Sequence, residues 1–239
     1  MKKSKNKYIK NIYSITSKDK IYRIVFMGDS ISSAEWVHPN FREIIEYTLK
    51  QYIKENTWKI RCINSALNGG STKDMIVYLD DYVLLYKPTL VILQGTRNDF
   101  TFGIDVEKHT KNLEKIISKI IANNINIVFC GTTPSLYKEK NNEYLPYIKK
   151  APQITKKFDI KYIDLFNELQ KYNLKKFFTY ISKGNPDEGL KSGDLDFEHP
   201  NQLGNAFIAK ILLKGIFDIE FDPELYIKDT NNGKMFPRY

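Results

Sequence analysis

Short apolar runs alternate with amphipathic stretches along most of this chain, and that alternation limits its fold more than any other feature. IYRIVFM (Ile21–Met27), WKIRCIN (Trp58–Asn64), TLVILQ (Thr89–Gln94), INIVFC (Ile125–Cys130) and IKYIDLF (Ile160–Phe166) are short and rich in branched apolar residues. Strands covered on both faces have this character. Between them, apolar residues recur at helical spacing. Phe41–Glu55 aligns Ile44, Ile45, Thr48, Leu49 and Tyr52. Ser71–Tyr86 opens with Ser71 as N-cap and Asp74 in capping-box position, and Pro88 marks its end. Val106–Asn123 places Leu113, Ile116, Ile117, Ile120 and Ile121 on one side. Glu143–Lys157 reads as helix broken near Pro146 and Pro152, and Asn201–Ile216 as a last helix. Strands alternating with helices predict an α/β protein, a three-layer α/β/α sandwich around a five-stranded parallel sheet. No linker or repeat divides the chain. The expectation is one domain over 1–239, with its core at 21–216 and a C-terminal extension at 217–239.

Composition narrows the function classes. At 239 residues and 42% hydrophobic, the chain can bury a substantial core. Two cysteines exclude a disulfide scaffold or a Cys-rich zinc domain. No apolar run nears the roughly 18–20 residues of a membrane span. MKKSKNKYIKNIYSITSKDK has the basic start of a signal peptide but no apolar segment behind it, so the default compartment is the cytoplasm. The formal charge of +9 invites a polyanionic partner. Yet of 37 basic residues only Arg23, Arg42, Arg61, Arg97 and Arg238 are arginines, the residue that nucleic-acid readers favour. The lysines are spread along the chain, so neither nucleic acid nor a membrane is expected as partner.

In open parallel sheets, chemistry gathers at the carboxyl ends of the strands. The first strand ends in Gly28-Asp29-Ser30, which offers a hydroxyl. The second runs into Asn64-Ser65-Ala66-Leu67-Asn68-Gly69-Gly70-Ser71-Thr72, glycines at a helix N-terminus whose N–H groups can approach an anion. The third ends in Gly95-Thr96-Arg97-Asn98-Asp99, which offers an amide. Later come Asp194-Leu195-Asp196-Phe197-Glu198-His199-Pro200-Asn201. Asp196 and His199 are three apart, a spacing that lets the carboxylate hold one imidazole nitrogen and leave the other open. Nucleophile, backbone donor, amide donor and oriented base are the parts of an acyl-transfer site. The chain lacks Gly-x-Ser-x-Gly, a P-loop and GxGxxG.

The four blocks resemble those of the SGNH (GDSL) hydrolase family over roughly 21–216. IVFMGDSIS aligns Ser30 with the family nucleophile. INSALNGGST aligns Gly69, and LQGTRNDF aligns Asn98, with the donors of its oxyanion hole, to which the N–H of Ser30 also contributes. DFEHPN aligns Asp196 and His199 with its triad acid and base. The resemblance implies a flavodoxin-like strand order, 2-1-3-4-5, and esterase or lipase chemistry without a metal or other cofactor. Ala66 stands where the second block often has Gly. The third block reads Gly-x-x-Asn rather than Gly-x-Asn, with Arg97 as the extra residue. Gly70 adjoins Gly69 as an alternative donor, and Asp194 is the reserve for Asp196.

Other residues are read more loosely. Asp29, Trp36, His38 and Arg97 are candidate substrate contacts. His109, in EKHTKNLEK, is expected to be a solvated helix residue, and Cys62 and Cys130 to be buried, inert thiols. FFTYISKGNPDEG is a candidate lid or cleft wall, and the aromatic tail after Ile216 is expected to pack on the domain or on a second subunit. The expected function is a serine esterase acting on small acyl groups such as O-acetyl, on a small-molecule or saccharide ester. Alternatives are a lysophospholipase or thioesterase, a binding protein on the same fold, and a polyanion binder.

Overall fold

Successive side chains of the first strand, β1 (Tyr22–Met27), feed two different cores. Tyr22, Ile24 and Phe26 enter one and Val25 and Met27 the other, the period-2 consequence of an extended chain. A computed structural model describes residues 21–53, 55–186 and 189–234. The basic start of the chain and its last five residues, Arg238 among them, lie outside the described residues.

Four further strands complete the sheet: β2 (Ile60–Asn64), β3 (Leu90–Gln94), β4 (Asn126–Cys130) and β5 (Lys161–Ile163). They pair in parallel in the order β2-β1-β3-β4-β5, as the resemblance implied. The helices are α1 (Ser30–Ser33), α2 (Phe41–Ile53), α3 (Thr72–Tyr82), α4 (Asn98–Thr101), α5 (Val106–Ala122), α6 (Lys138–Ile148), α7 (Ala151–Lys157), α8 (Leu165–Leu169), α9 (Gln202–Leu212) and α10 (Pro223–Asn231). One face of the sheet packs Phe41, Ile44 and Leu49 of α2, Leu165 of α8, and Ala206, Ile208 and Leu212 of α9. The other packs Met75 and Leu79 of α3, Leu113, Ile116 and Ile120 of α5, and Ile154 of α7. The result is the expected three-layer α/β/α sandwich.

Three local expectations are refined. The helix expected over Glu143–Lys157 is two helices. Their break falls at Lys149–Lys150, between the two prolines as expected; Pro146 lies inside α6, and Pro152 sits in the first turn of α7, where its missing N–H costs nothing. The fifth strand is only three residues long, because the Asp164 carboxylate caps α8 by accepting from Asn167 N–H. The segment read as a candidate lid or cleft wall contributes to a two-stranded antiparallel sheet, β6 (Ile181–Asn185) with β7 (Leu190–Leu195). Gly184 and Gly193 in this hairpin have φ of +106° and +95°, which side-chain-bearing residues rarely adopt.

The C-terminal segment packs back on the sheet. Phe217, Ile219, Phe221 and Tyr226 are buried in the same core as α9. Among the described residues, no helix is long and apolar enough to cross a membrane.

Candidate active site

The site forms where β1, β2 and β3 end. After β1, Asp29 caps α1, its Oδ1 accepting from Ile31 N–H at 3.0 Å and from Gln94 Nε2 at 3.1 Å. This places Ser30 at the first position of α1, directly beyond the sheet. Gly28 is obligatory on packing grounds: a Cβ there would lie 2.8–2.9 Å from Gln94 and Ser32 atoms. Burial raises the Asp29 carboxyl above the usual range, opposed by the Ile31 N–H and the nearby His199 charge.

His199 arrives from the opposite direction. β7 returns from the hairpin to Asp196, whose N–H donates to Tyr180 O at 2.8 Å. The chain then turns tightly around the Asp196 carboxylate. Oδ1 accepts from the N–H groups of Glu198 and His199, both at 2.9 Å, and Oδ2 lies 2.8 Å from His199 Nδ1. A carboxylate only accepts, so Nδ1 carries the proton and Nε2 is left as acceptor. Nε2 lies 2.9 Å from Ser30 Oγ. The two side chains are brought together from 169 positions apart, and both Asp196 and His199 are buried. Burial pushes the Asp196 carboxyl up, but the His199 hydrogen bond, the imidazole charge and the two N–H groups outweigh it and hold it below the usual range. Asp194, the reserve, is taken up within β7, where it accepts from Lys191 N–H.

Two asparagines that the sequence reading passed over lock this arrangement. Asn205 Nδ2 donates to Pro200 O at 2.8 Å while its Oδ1 accepts from Phe41 N–H. Asn40 Nδ2 donates to Ile31 O at 2.9 Å. The loop of His199, α2 and α1 are thus tied by buried amides. Their signal is a polar residue at an otherwise apolar helix position, as in NAFIAKIL.

The loop after β2 is pinned to β1 through Ser65 N–H to Phe26 O and Leu67 N–H to Gly28 O, both 2.9 Å. Gly69 has φ +67°. The Gly70 N–H is spent on Leu67 O at 2.8 Å, whereas no partner takes the Gly69 N–H among the described residues. Gly70 O accepts from Asn98 Nδ2 at 3.0 Å and from Thr96 Oγ1 at 2.9 Å, which joins the second and third loops.

Beneath them lies a buried polar cluster. Asp99 accepts from Thr72 N–H at 2.7 Å and Thr72 Oγ1 at 2.6 Å, and its Oδ2 lies 2.8 Å from His109 Nδ1. Asn112 Nδ2 donates to Thr72 Oγ1 at 2.9 Å. His109 is therefore not a solvated residue: it is 4% exposed. Its neighbours along the chain are charged, but it shares a helix face with Asn112, Leu113 and Ile116, and that register was the available signal.

The remaining candidates divide. The Trp36 ring stacks on the His199 ring, centroids 4.1 Å apart and planes at 11°, and Trp36 Nε1 donates to Asn68 Oδ1 at 2.9 Å. His38 is turned outward and pairs with Glu43 at 2.9 Å. Arg97 is buried, its guanidinium 4.5 Å over the Tyr144 ring and 3.5 Å from Glu198. Cys130 is buried. Cys62 is partly exposed as a residue, yet burial of the thiol raises both well above the usual range. Among the described residues no group of three or more His, Cys, Asp or Glu is placed to hold a metal ion.

A profile of the GDSL-like lipase/acylhydrolase family matches residues 26–207. The chain belongs to that family. Solved structures with the same fold agree. An acetyl xylan esterase, AlAXEase, is 23% identical, with a TM-score of 0.66 over 81% of this chain and 99% of its own. A lipase/acylhydrolase from Enterococcus faecalis is 20% identical, with a TM-score of 0.64 over 81% and 94%. A catalytic mutant of the acetylxylan esterase Axe2 from Geobacillus stearothermophilus is 15% identical, with a TM-score of 0.66 over 82% and 94%. A search of curated protein sequences finds no match. As a GDSL-like acylhydrolase the chain is a carboxylic ester hydrolase, and its substrates are small-molecule esters.

Proposed function

We propose that this acylhydrolase is a serine esterase that removes small acyl groups, O-acetyl above all, from a carbohydrate. The observation that carries the reading is the continuous hydrogen-bonded chain Ser30 Oγ–His199 Nε2 at 2.9 Å and His199 Nδ1–Asp196 Oδ2 at 2.8 Å. In this mechanism His199 takes the Ser30 proton as Oγ attacks the ester carbonyl. Asp196 keeps the imidazole in the productive tautomer and stabilises the imidazolium. The N–H groups of Ser30 and Gly69 and the Asn98 amide meet the oxyanion. His199 then returns its proton to the leaving alkoxide, and water activated by His199 releases the acid from the acyl-enzyme.

Two observations support a small acyl group and a sugar. The pocket whose wall includes Glu198, the neighbour of His199 in sequence, sets Arg97, Lys140, Glu143 and Glu198 beside Phe100, Thr101 and Tyr144, and an alkyl chain would desolvate those charged groups at a cost. Three of the similar structures are of acetylxylan esterase Axe2 with a serine, an aspartate or a histidine replaced, described as catalytic mutants. In that protein the aspartate precedes the histidine by three positions, as Asp196 precedes His199 here.

The test is hydrolysis of p-nitrophenyl esters from acetate to palmitate by the wild type and by Ser30→Ala. Activity concentrated on acetate and lost in Ser30→Ala is expected. A long-chain optimum would replace this reading with a lysophospholipase or thioesterase, and undiminished activity of Ser30→Ala would remove Ser30 from the mechanism.

A further inference from the structure

A pocket of about 280 Å³ has walls that include Arg97, Phe100, Lys140, Glu143, Tyr144 and Glu198. Its position ties it to the chemistry. Arg97 immediately precedes Asn98, and Glu198 immediately precedes His199. The Arg97 backbone N–H favours the charged form of the Asp29 carboxylate beside Ser30. The pocket wall therefore begins one residue from the amide donor and one residue from the base.

Its charges balance. Arg97 faces Glu198 at 3.5 Å and Lys140 faces Glu143 at 3.7 Å. Both separations exceed the roughly 2.7–2.9 Å of a charge-assisted hydrogen bond. The pairs neutralise one another while keeping much of their hydrogen-bonding capacity. Arg97 is the sharpest case. It is 6% exposed, and its Nε and Nη1 have no hydrogen-bond partner among the described residues. Its Nη2 donates to Lys140 O at 3.4 Å and is the atom that lies 3.5 Å from Glu198 Oε1. A guanidinium carries five N–H donors, and burying them unmatched is costly.

The pocket also has an apolar face. Phe100 is 39% exposed and is held edge-on by Tyr144 and Tyr147, with centroids at 5.7 and 6.2 Å. Donors, acceptors, zero formal charge and one firmly seated aromatic ring complement a neutral polyhydroxylated ring. Hydroxyls both donate and accept, and the C–H face of a sugar lies against an aromatic. A carboxylate in the same place would meet Glu143 and Glu198 as well as Arg97 and Lys140, so it would gain no net attraction to offset the loss of its hydration. The volume lies just below the range of about 300–1,000 Å³ typical of drug-sized ligands, which suits one sugar unit.

We infer that this pocket is the subsite for a neutral sugar unit of the ester's alcohol moiety, a step that rests on the esterase reading above. The test uses p-nitrophenyl acetate, peracetylated methyl glucopyranoside and its C6-carboxylate counterpart, the peracetylated methyl glucuronoside. The wild type is expected to hydrolyse the neutral sugar acetate faster than the anionic one. In Phe100→Ala, the ratio of kcat/KM on the neutral sugar acetate to that on p-nitrophenyl acetate is expected to fall about tenfold. In Glu143→Ala, the neutral-over-anionic preference is expected to shrink, because one repelling charge is gone; this second variant, at a half-exposed side chain, also serves if Phe100→Ala fails to fold. Ratios unmoved in both variants, a wild-type preference for the uronate, or Ser30-dependent activity on p-nitrophenyl acetate with none on the sugar acetates would overturn the subsite and leave the serine esterase standing. Activity unaffected by Ser30→Ala on every ester would instead bring down the esterase reading itself.

Discussion

Trp36 lies flat on His199, ring centroids 4.1 Å apart and planes at 11°, while Nε1 of the same indole holds Asn68 at 2.9 Å. One side chain thus braces the base and the loop that carries Gly69. The imidazole becomes cationic during acyl transfer, and an aromatic face stabilises a cation by about 0.5–2 kcal/mol. Trp36→Ala is expected to lower kcat/KM on p-nitrophenyl acetate by about tenfold. Trp36→Phe keeps a ring over His199 and is expected to recover most of that loss. Equal losses in the two variants would mean that the Asn68 hydrogen bond, and not the stack, is what matters.

The Asp99 carboxylate fixes the spacing of the two donor loops from below. It is completely buried, and it satisfies two groups of Thr72 and one of His109. Removing it strands three buried polar groups at about 1–3 kcal/mol each. Asp99→Ala is therefore expected to destabilise the protein by at least about 3 kcal/mol, which for a chain of this size lowers Tm by roughly 6–12 °C. Asp99→Asn retains an acceptor and is expected to lose less. Scanning calorimetry of the two variants decides it: a Tm change under about 2 °C for Asp99→Ala would refute the clamp.

The sheet and the pairing of Asp196 with His199 were legible in the sequence because each rests on a local signal. A buried strand declares itself by its branched residues, and Asp196 and His199 are close in sequence. What escaped is held by partners far along the chain. Asn205 meets Phe41 across 164 positions, and Thr72 meets Asp99 across 27. His109 was misread because its sequence neighbours Lys108 and Lys111 point elsewhere on the helix. The β6–β7 hairpin lacks strong alternation and turns on glycines at positive φ, so its pattern resembles a loop. Arg97 was read as a candidate substrate contact. The structure buries it and sets Glu198 against it at 3.5 Å, a pairing so far apart along the chain that no spacing rule reveals it.

The oxyanion donors make a distinct kinetic prediction. An Asn amide carries two N–H bonds, and in Asn98 one is occupied by Gly70 O at 3.0 Å. The other is available to a developing charge, while the bond to Gly70 holds the amide in place. Asn98→Ala is expected to lower kcat by about 100–1,000-fold with KM little changed, because the contact forms mainly in the transition state. Steady-state kinetics on p-nitrophenyl acetate gives both constants. A loss confined to KM would assign Asn98 to substrate binding instead.

The pH dependence follows from Asp196. Burial works against its ionised form, but His199 and the two backbone N–H groups hold its carboxyl below the usual value of 3.8. A depressed carboxyl contributes stability that is fully present above its unfolded value and is lost as pH falls through the lower folded value. Across neutral and mildly acid pH, then, Asp196 stays ionised and its bond to His199 persists. Protonation of Asp196 is therefore not expected to contribute to the loss of activity on acidification above about pH 4, whereas the buried Asp29 beside Ser30, whose carboxyl is raised by burial, is expected to contribute there. Asp196→Asn removes both the fixed tautomer and the charge, and is expected to lower kcat on the order of 10,000-fold. It is also expected to unfold at a lower temperature than the wild type at pH 6, with the difference closing as pH falls below 3.8. Parallel melting curves from pH 6 down to pH 3 provide the check. A gap that widened toward low pH would show that Asp196 is not stabilised as a carboxylate in the fold.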